Sequence, residues 1–189
     1  MSQKMGLRRI AVGWLASSLT AAAVAAPASA APDFVGTPLS IPQAALTGWK
    51  FYGLEGSVMA TAEVPNVAWK SAIDLGKIRG FVSISERAPL ADLARNLFSE
   101  TVSPRSVGYS SRVSEAAVTP ITVSGRAAVR ASATITVRDQ PIKTMRLHIV
   151  VVDTTPRTYF RSRVPQIATQ HTMQADAAEA GLKVANVGA

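Results

Sequence analysis

The stretch Arg126–Val152 constrains the fold more than any other part of the chain. Val129, Ala131, Ala133, Ile135 and Val137 share one parity, and Arg130, Ser132, Thr134, Thr136 and Arg138 share the other. After Asp139–Pro141 the alternation resumes, with Met145, Leu147, Ile149 and Val151 on one parity and Arg146 and His148 on the other. Alternation with a period of two marks half-buried strands, and a short Pro-containing joint makes them antiparallel neighbours. Closure near Asp139–Pro141 brings Arg130, Arg146 and His148 onto one sheet face. The chain must therefore build a sheet with a basic face, and its function turns on what meets that face: water, another part of the chain, or a ligand.

The neighbouring segments extend the pattern into a meander. The runs are Gly108–Val118, Ile121–Val123, Arg126–Arg138, Ile142–Val152 and Arg157–Val164. The joints "TP", "SGR", "RDQPI" and "DTTPR" supply the Gly, Asp and Pro that turns require. Upstream, short strands are expected at Leu39–Ile41 and Ser57–Val64, the latter stopped by Pro65. "KIRGFVSISER" reads as a further strand, with Val82 and Ile84 on one face.

Two segments change period. In Pro89–Val102, Leu90, Leu93, Leu97, Phe98 and Thr101 make an apolar helical stripe, with Pro104 beyond the end. Gln166–Ala180 is rich in helix formers, with Ile167, His171, Ala175 and Ala178 near one stripe and Gly181 as the stop. "LKVANV" adds a final short strand or tail. Strands, helix, strands, helix define an α+β domain: an antiparallel meander with helices packed on it.

The first 30 residues stand apart. Lys4, Arg8 and Arg9 precede an apolar, Ala-rich segment, Ile10–Ala26, and then "PASA", with Ala28 and Ala30 at the small-residue cleavage positions. This is the pattern of a secretory signal peptide cut after Ala30. The apolar segment is short for a membrane span and holds Gly13, Ser17, Ser18 and Thr20. Residues 31–189 are then one secreted domain, extracellular or cell-wall associated, with no membrane span left after cleavage. The sequence has no cysteine, which excludes disulfides, a thiol nucleophile, a thiolate metal site and an N-terminal lipid-modified Cys. The net charge is +8, and only Lys4, Arg8 and Arg9 among the basic residues lie in the leader. The remaining excess favours an anionic envelope component or another protein as partner. Without aromatic interleaving or a strong basic run, nucleic acid is not the expected partner.

With these elements in place, the chain resembles the LpqN-type lipoproteins of mycobacteria and related actinobacteria, which belong with the PsbP-like α/β/α sandwich folds. The likeness is carried by "LSIPQAALTGW", by "PLADLARNLF" after the early strands, and by the meander from "GRAAVRASATITV" to "YFRSRVP" followed by an Ala-rich helix. It spans roughly Pro38 to Val187 and implies a binding role, with no catalytic residue to carry over. The lipid-attachment Cys of the LpqN-type lipoproteins is missing, so this chain resembles a soluble secreted member.

Catalytic and cofactor motifs are absent from the sequence. There is no H-E-x-x-H, no G-x-S-x-G and no phosphate-cradling glycine motif, so no cofactor and no metal site is expected. His148 and His171 are the two histidines, and neither has a carboxylate or second His at ligand spacing. The leading reading is a non-catalytic binding module. Its ligand-binding candidates are Arg126, Arg130, Arg138, Arg146, His148 and Arg161, with Arg157 and Arg163 repeating the theme. Trp49 and Tyr52 of "GWKFYG" are candidates for a stacking platform. The competing reading is a small extracellular hydrolase assembled from scattered carboxylates around His148. Acids clustered about His148 in a pocket would favour it; a broad basic surface would favour the first.

Overall fold

The computed structural model describes residues 33–35, 38–54, 57–79, 82–103, 111–114, 116–138 and 140–185. The signal-peptide reading of residues 1–30 lies outside them. Two short strands, β1 (Asp33–Val35) and β2 (Leu39–Pro42), precede a 3-10 turn at Gln43–Leu46. Then come β3 (Lys50–Leu54), β4 (Ser57–Glu63), β5 (Lys70–Lys77) and the helix α1 (Leu90–Val102). The meander follows: β6 (Ser111–Val113), β7 (Ala117–Val123), β8 (Arg126–Val137), β9 (Thr144–Val152) and β10 (Thr158–Pro165). The helix α2 (Thr169–Ala180) and β11 (Lys183–Val184) close the described chain.

The large sheet is antiparallel, in the order β3-β4-β5-β10-β9-β8-β6, with β7 also paired to β8. A small sheet, β1-β2-β11, packs beside it. The hairpin β8–β9 closes where expected, with Thr136 opposite Thr144 and the Val137 N–H donating to Lys143 O at 2.8 Å. Between β7 and β8, Ser124 (φ 50) and Gly125 (φ 76) are both left-handed, as a two-residue hairpin turn of right-handed twist demands.

Each face of the sheet is buried by a different layer. Val129, Ala131, Ile135, Leu147, Ile149 and Val151 pack against α1 through Leu93, Ala94, Leu97 and Phe98. The other face, with Ile73, Leu75, Val150, Phe160 and Val164, packs against Leu39, Ile41, Leu46, Ala175, Ala178 and Leu182. Helices on both faces of an antiparallel sheet give the α+β sandwich expected from the sequence.

Three local expectations are corrected. The strand read at Lys77–Arg87 lies instead at Lys70–Lys77. Ser71 to Gly76 are buried on both parities, so that strand shows no alternation to read. Val82 and Ile84 are half-buried against the α1 cluster, and Asn96 holds the loop by accepting from the Ser83 N–H and donating to its Oγ. "TP" is no joint, because Pro120 sits inside β7. It is exposed on a strand that pairs, among the described residues, with β8 alone, where a missing N–H costs nothing. Finally, α2 begins at Thr169 and not at Gln166, since the Gln166 N–H still bonds to Thr144 O at 3.1 Å; Ile167 is thus off the helix and exposed.

Candidate functional site

The register decides which basic residues share a face. Directly opposed residues of an antiparallel pair point the same way. Ser132 faces His148, Thr134 faces Arg146 and Arg130 faces Val150, so Arg130, Arg146 and His148 lie on one face, as their parities require. On β10, Ser162 faces His148 whereas Arg161 faces Ile149 and Asp74. Arg161 and Arg163 therefore sit on the opposite face, where Arg161 reaches α1. Arg161 forms a short ion pair with buried Asp74 (2.9 Å), donates to Thr101 Oγ1 (2.9 Å) and lies over the Tyr159 ring. Burial, with help from the Asp74 charge, pushes the Tyr159 hydroxyl far above its usual range. This network is internal and separate from the basic face.

The basic face is partly covered by α2, which brings the acids that buried arginines need. Arg146 makes a two-pronged contact with Asp176 (2.6 and 3.0 Å) and also reaches Thr172 O. Glu179, buried at the end of the helix, accepts from Arg130 Nε and lies 2.8 Å from His148 Nδ1. Burial alone would raise the Glu179 pKa, but the His148 hydrogen bond and charge, with Arg130, outweigh it and hold the carboxyl below its usual range. The side chain is thus an ionised acceptor at neutral pH and no proton donor.

His148, Asp176 and Glu179 lie close enough together to share a cation, with ligand atoms within 4.8 Å. Each carboxylate, however, already carries an arginine, so the group is charge-balanced and is not an acidic cradle. The same balance bears on the hydrolase reading. Acids do gather at His148, but they are committed to docking α2. The neighbouring cavity of about 310 Å³ is lined by Ser124, Arg130, Val150, Glu179 and Leu182 and not by His148.

The helix leaves part of this face open on β6, β7 and β8, although Ile121, Val123 and Ala128 are covered by the cluster that includes Ala178 and Leu182. α2 packs on β10, on β2 and on the 3-10 turn. Beyond it, Thr136, Ala117, Thr119, Arg112 and Arg126 are exposed, and Arg130 is half-exposed. Arg126 and Arg138 have no acidic partner among the described residues, and neither does Arg112 opposite Thr136 on β6. Arg112 escaped sequence reading because β6 has three residues, too few to display a period. Of the aromatic candidates, Tyr52 is 42% exposed on the edge strand β3. Trp49 is 6% exposed, donates its indole N–H to Gln174 Oε1 at 2.8 Å, and belongs to the core.

A second group surrounds His171. Its Nδ1 lies 2.9 Å from the hydroxyl of fully buried Ser71, and Trp49 meets its ring edge-on at 5.5 Å between centroids. Burial lowers its pKa. Two cavities, of about 290 and 430 Å³, flank this histidine. No described helix is long and apolar enough to cross a membrane.

The fold is PsbP-like. It resembles the solution structure of the cyanobacterial PsbP (CyanoP) from Synechocystis sp. PCC 6803, with a TM-score of 0.53 over 85% of this chain and 96% of that one, at 12% sequence identity. No family model matches the sequence, and no curated protein matches it either. The likeness is one of architecture.

Proposed function

We propose that residues 31–189 form a secreted cell-envelope module that binds an anionic envelope component or a protein with an acidic surface, without catalysis of its own. The observation that carries this reading is the set of exposed arginines on the uncovered part of the basic face. Arg112, Arg126 and Arg138 lie there without an acid among the described residues, beside half-exposed Arg130. Arginine suits such a surface because its planar fork matches carboxylate and phosphate geometry. Arg146 and His148 support the surface from beneath α2, while Arg161 and Trp49 are internal and lend it only stability. Tyr52, on the far edge strand, lies apart from this surface. The likeness to LpqN-type proteins belongs to the same reading, as does export through the leader at residues 1–30.

The test is co-sedimentation of the exported protein with isolated envelope fractions at low and high salt, beside Arg126→Glu/Arg138→Glu. Both residues are exposed and outside the α2 ion pairs, so the variant should fold normally. Salt-sensitive sedimentation that drops at least roughly tenfold in the variant supports the reading. Equal behaviour of the two proteins, or no sedimentation, removes it. N-terminal sequencing of the exported chain should begin at Ala31.

A further inference from the structure

Away from the basic face, His171 is arranged in a way that packing alone does not explain. Ser71 is fully buried and its hydroxyl bonds to His171 Nδ1 at 2.9 Å. A buried hydroxyl without an acceptor for its proton loses about 1–3 kcal/mol, so Ser71 donates and Nδ1 accepts. The proton of the neutral imidazole then resides on Nε2. That N–H has no partner among the described residues. The ring is fixed from two sides, by Ser71 and by the edge of Trp49, and its remaining donor stays available.

His171 and Gln170 form the wall common to the two cavities. The smaller cavity, about 290 Å³, is polar and includes Lys50, Thr61, Glu63 and Gln174. Two of its acceptors are engaged within the protein. Glu63 is paired with Lys70 at 3.0 Å, and Gln174 spends its oxygen on Trp49 and its amide N–H on Thr47 O. The groups left over include two donors: the Lys50 ammonium, which has no acid among the described residues, and His171 Nε2–H. The larger cavity, about 430 Å³, has an apolar wall of Val64, Pro65, Ile167 and Ala168. Ile167 is 59% exposed there.

We propose that these cavities form one binding site for a small organic acid, its carboxylate on Lys50 and His171 and its apolar body along Pro65 and Ile167. Unspent donors on one side and an apolar wall on the other specify an anionic head on an apolar body. The volumes lie at the small end of the range for ligand pockets, which selects a compact acid over a polymer. This site is independent of the arginine surface, so either can fail without the other.

The probes are 4-methylpentanoate and 3-phenylpropionate, each compared with its neutral amide. Binding to the exported protein is followed by calorimetry, by Trp fluorescence and by the His171 imidazole resonances. Both acids should bind and shift the His171 signals, and the amides should bind at least tenfold more weakly. Lys50→Met and His171→Phe should each weaken acid binding at least tenfold, about 1.4 kcal/mol. Lys50 is exposed, so Lys50→Met retains the fold and remains decisive if His171→Phe does not fold. Arg126→Glu should leave binding unchanged. The site is refuted if the acids cause no His171 shift up to roughly 10 mM, a Kd limit near 3 kcal/mol of binding. It is equally refuted if acid and amide bind alike, or if Lys50→Met binds the acids as the native protein does.

Discussion

Glu179 Oε2 lies 2.8 Å from His148 Nδ1, while the other oxygen of the same carboxylate accepts from Arg130. One buried acid on α2 therefore ties the helix to both β8 and β9. Removing it strands two donors under the helix. Glu179→Ala should destabilise the protein by about 2–3 kcal/mol, below the usual cost of breaking a buried pair because Arg130 is 42% exposed and keeps access to water. Chemical denaturation measures this, and an unchanged midpoint would show that α2 is held by its apolar contacts alone.

The same carboxylate sets an acid limit. Its pKa in the folded state is depressed relative to 4.5, so its contribution is fully present above that value and is lost as pH falls through the lower, folded value. A urea midpoint followed from pH 6 downward should decline through the acid range, and Glu179→Gln should flatten the decline.

His171 acts at higher pH by the opposite kind of burial. Its pKa is lowered from 6.5 because the site disfavours the charged ring, which packs against Ser71 and Trp49. Above 6.5 both folded and unfolded chains carry it neutral. As pH falls below 6.5 the unfolded chain takes up the proton first, so stability declines. His171→Gln should abolish this segment of the stability–pH curve and leave the Glu179 segment in place.

Arg161 and Asp74 form the buried pair on the opposite face, at 14% and 7% side-chain exposure. Arg161→Leu leaves Asp74 charged and dry and should cost about 3–5 kcal/mol. The double change Arg161→Leu/Asp74→Leu should recover much of that loss, and a double-mutant cycle on unfolding free energies separates the two cases.

Gly181 closes α2 for a steric reason. Its φ is −88°, an ordinary value, but a Cβ placed there would come within 2.5 Å of Pro42 Cγ and 2.7 Å of Pro42 Cδ on β2. Gly181→Ala should destabilise the protein by about 1–3 kcal/mol through overpacking, read as a lowered thermal midpoint. A neutral result would show that the small sheet can shift away from the helix.

The β8–β9 hairpin and the first helix were legible in the sequence alone. Alternation in Arg126–Val137 and Thr144–Val152 could serve only one pairing, and the apolar stripe Leu93, Leu97, Phe98 and Thr101 could bury only one side of α1. Those signals are local, since periodicity records which side of an element meets the core. The strand β5 gave no such signal, being covered on both faces. Parity could likewise not tell that Arg161 belongs on the face opposite Arg146, because faces are compared between strands only through register. Nor could it show that Asp176 and Glu179 would arrive from a helix some 30 residues onward to neutralise half of the basic face. Charge pairing and cavity formation depend on which layers pack together, and only the tertiary structure sets that. The open arginines of β6–β8 and the donor-lined cavities at His171 are what that packing leaves unsatisfied.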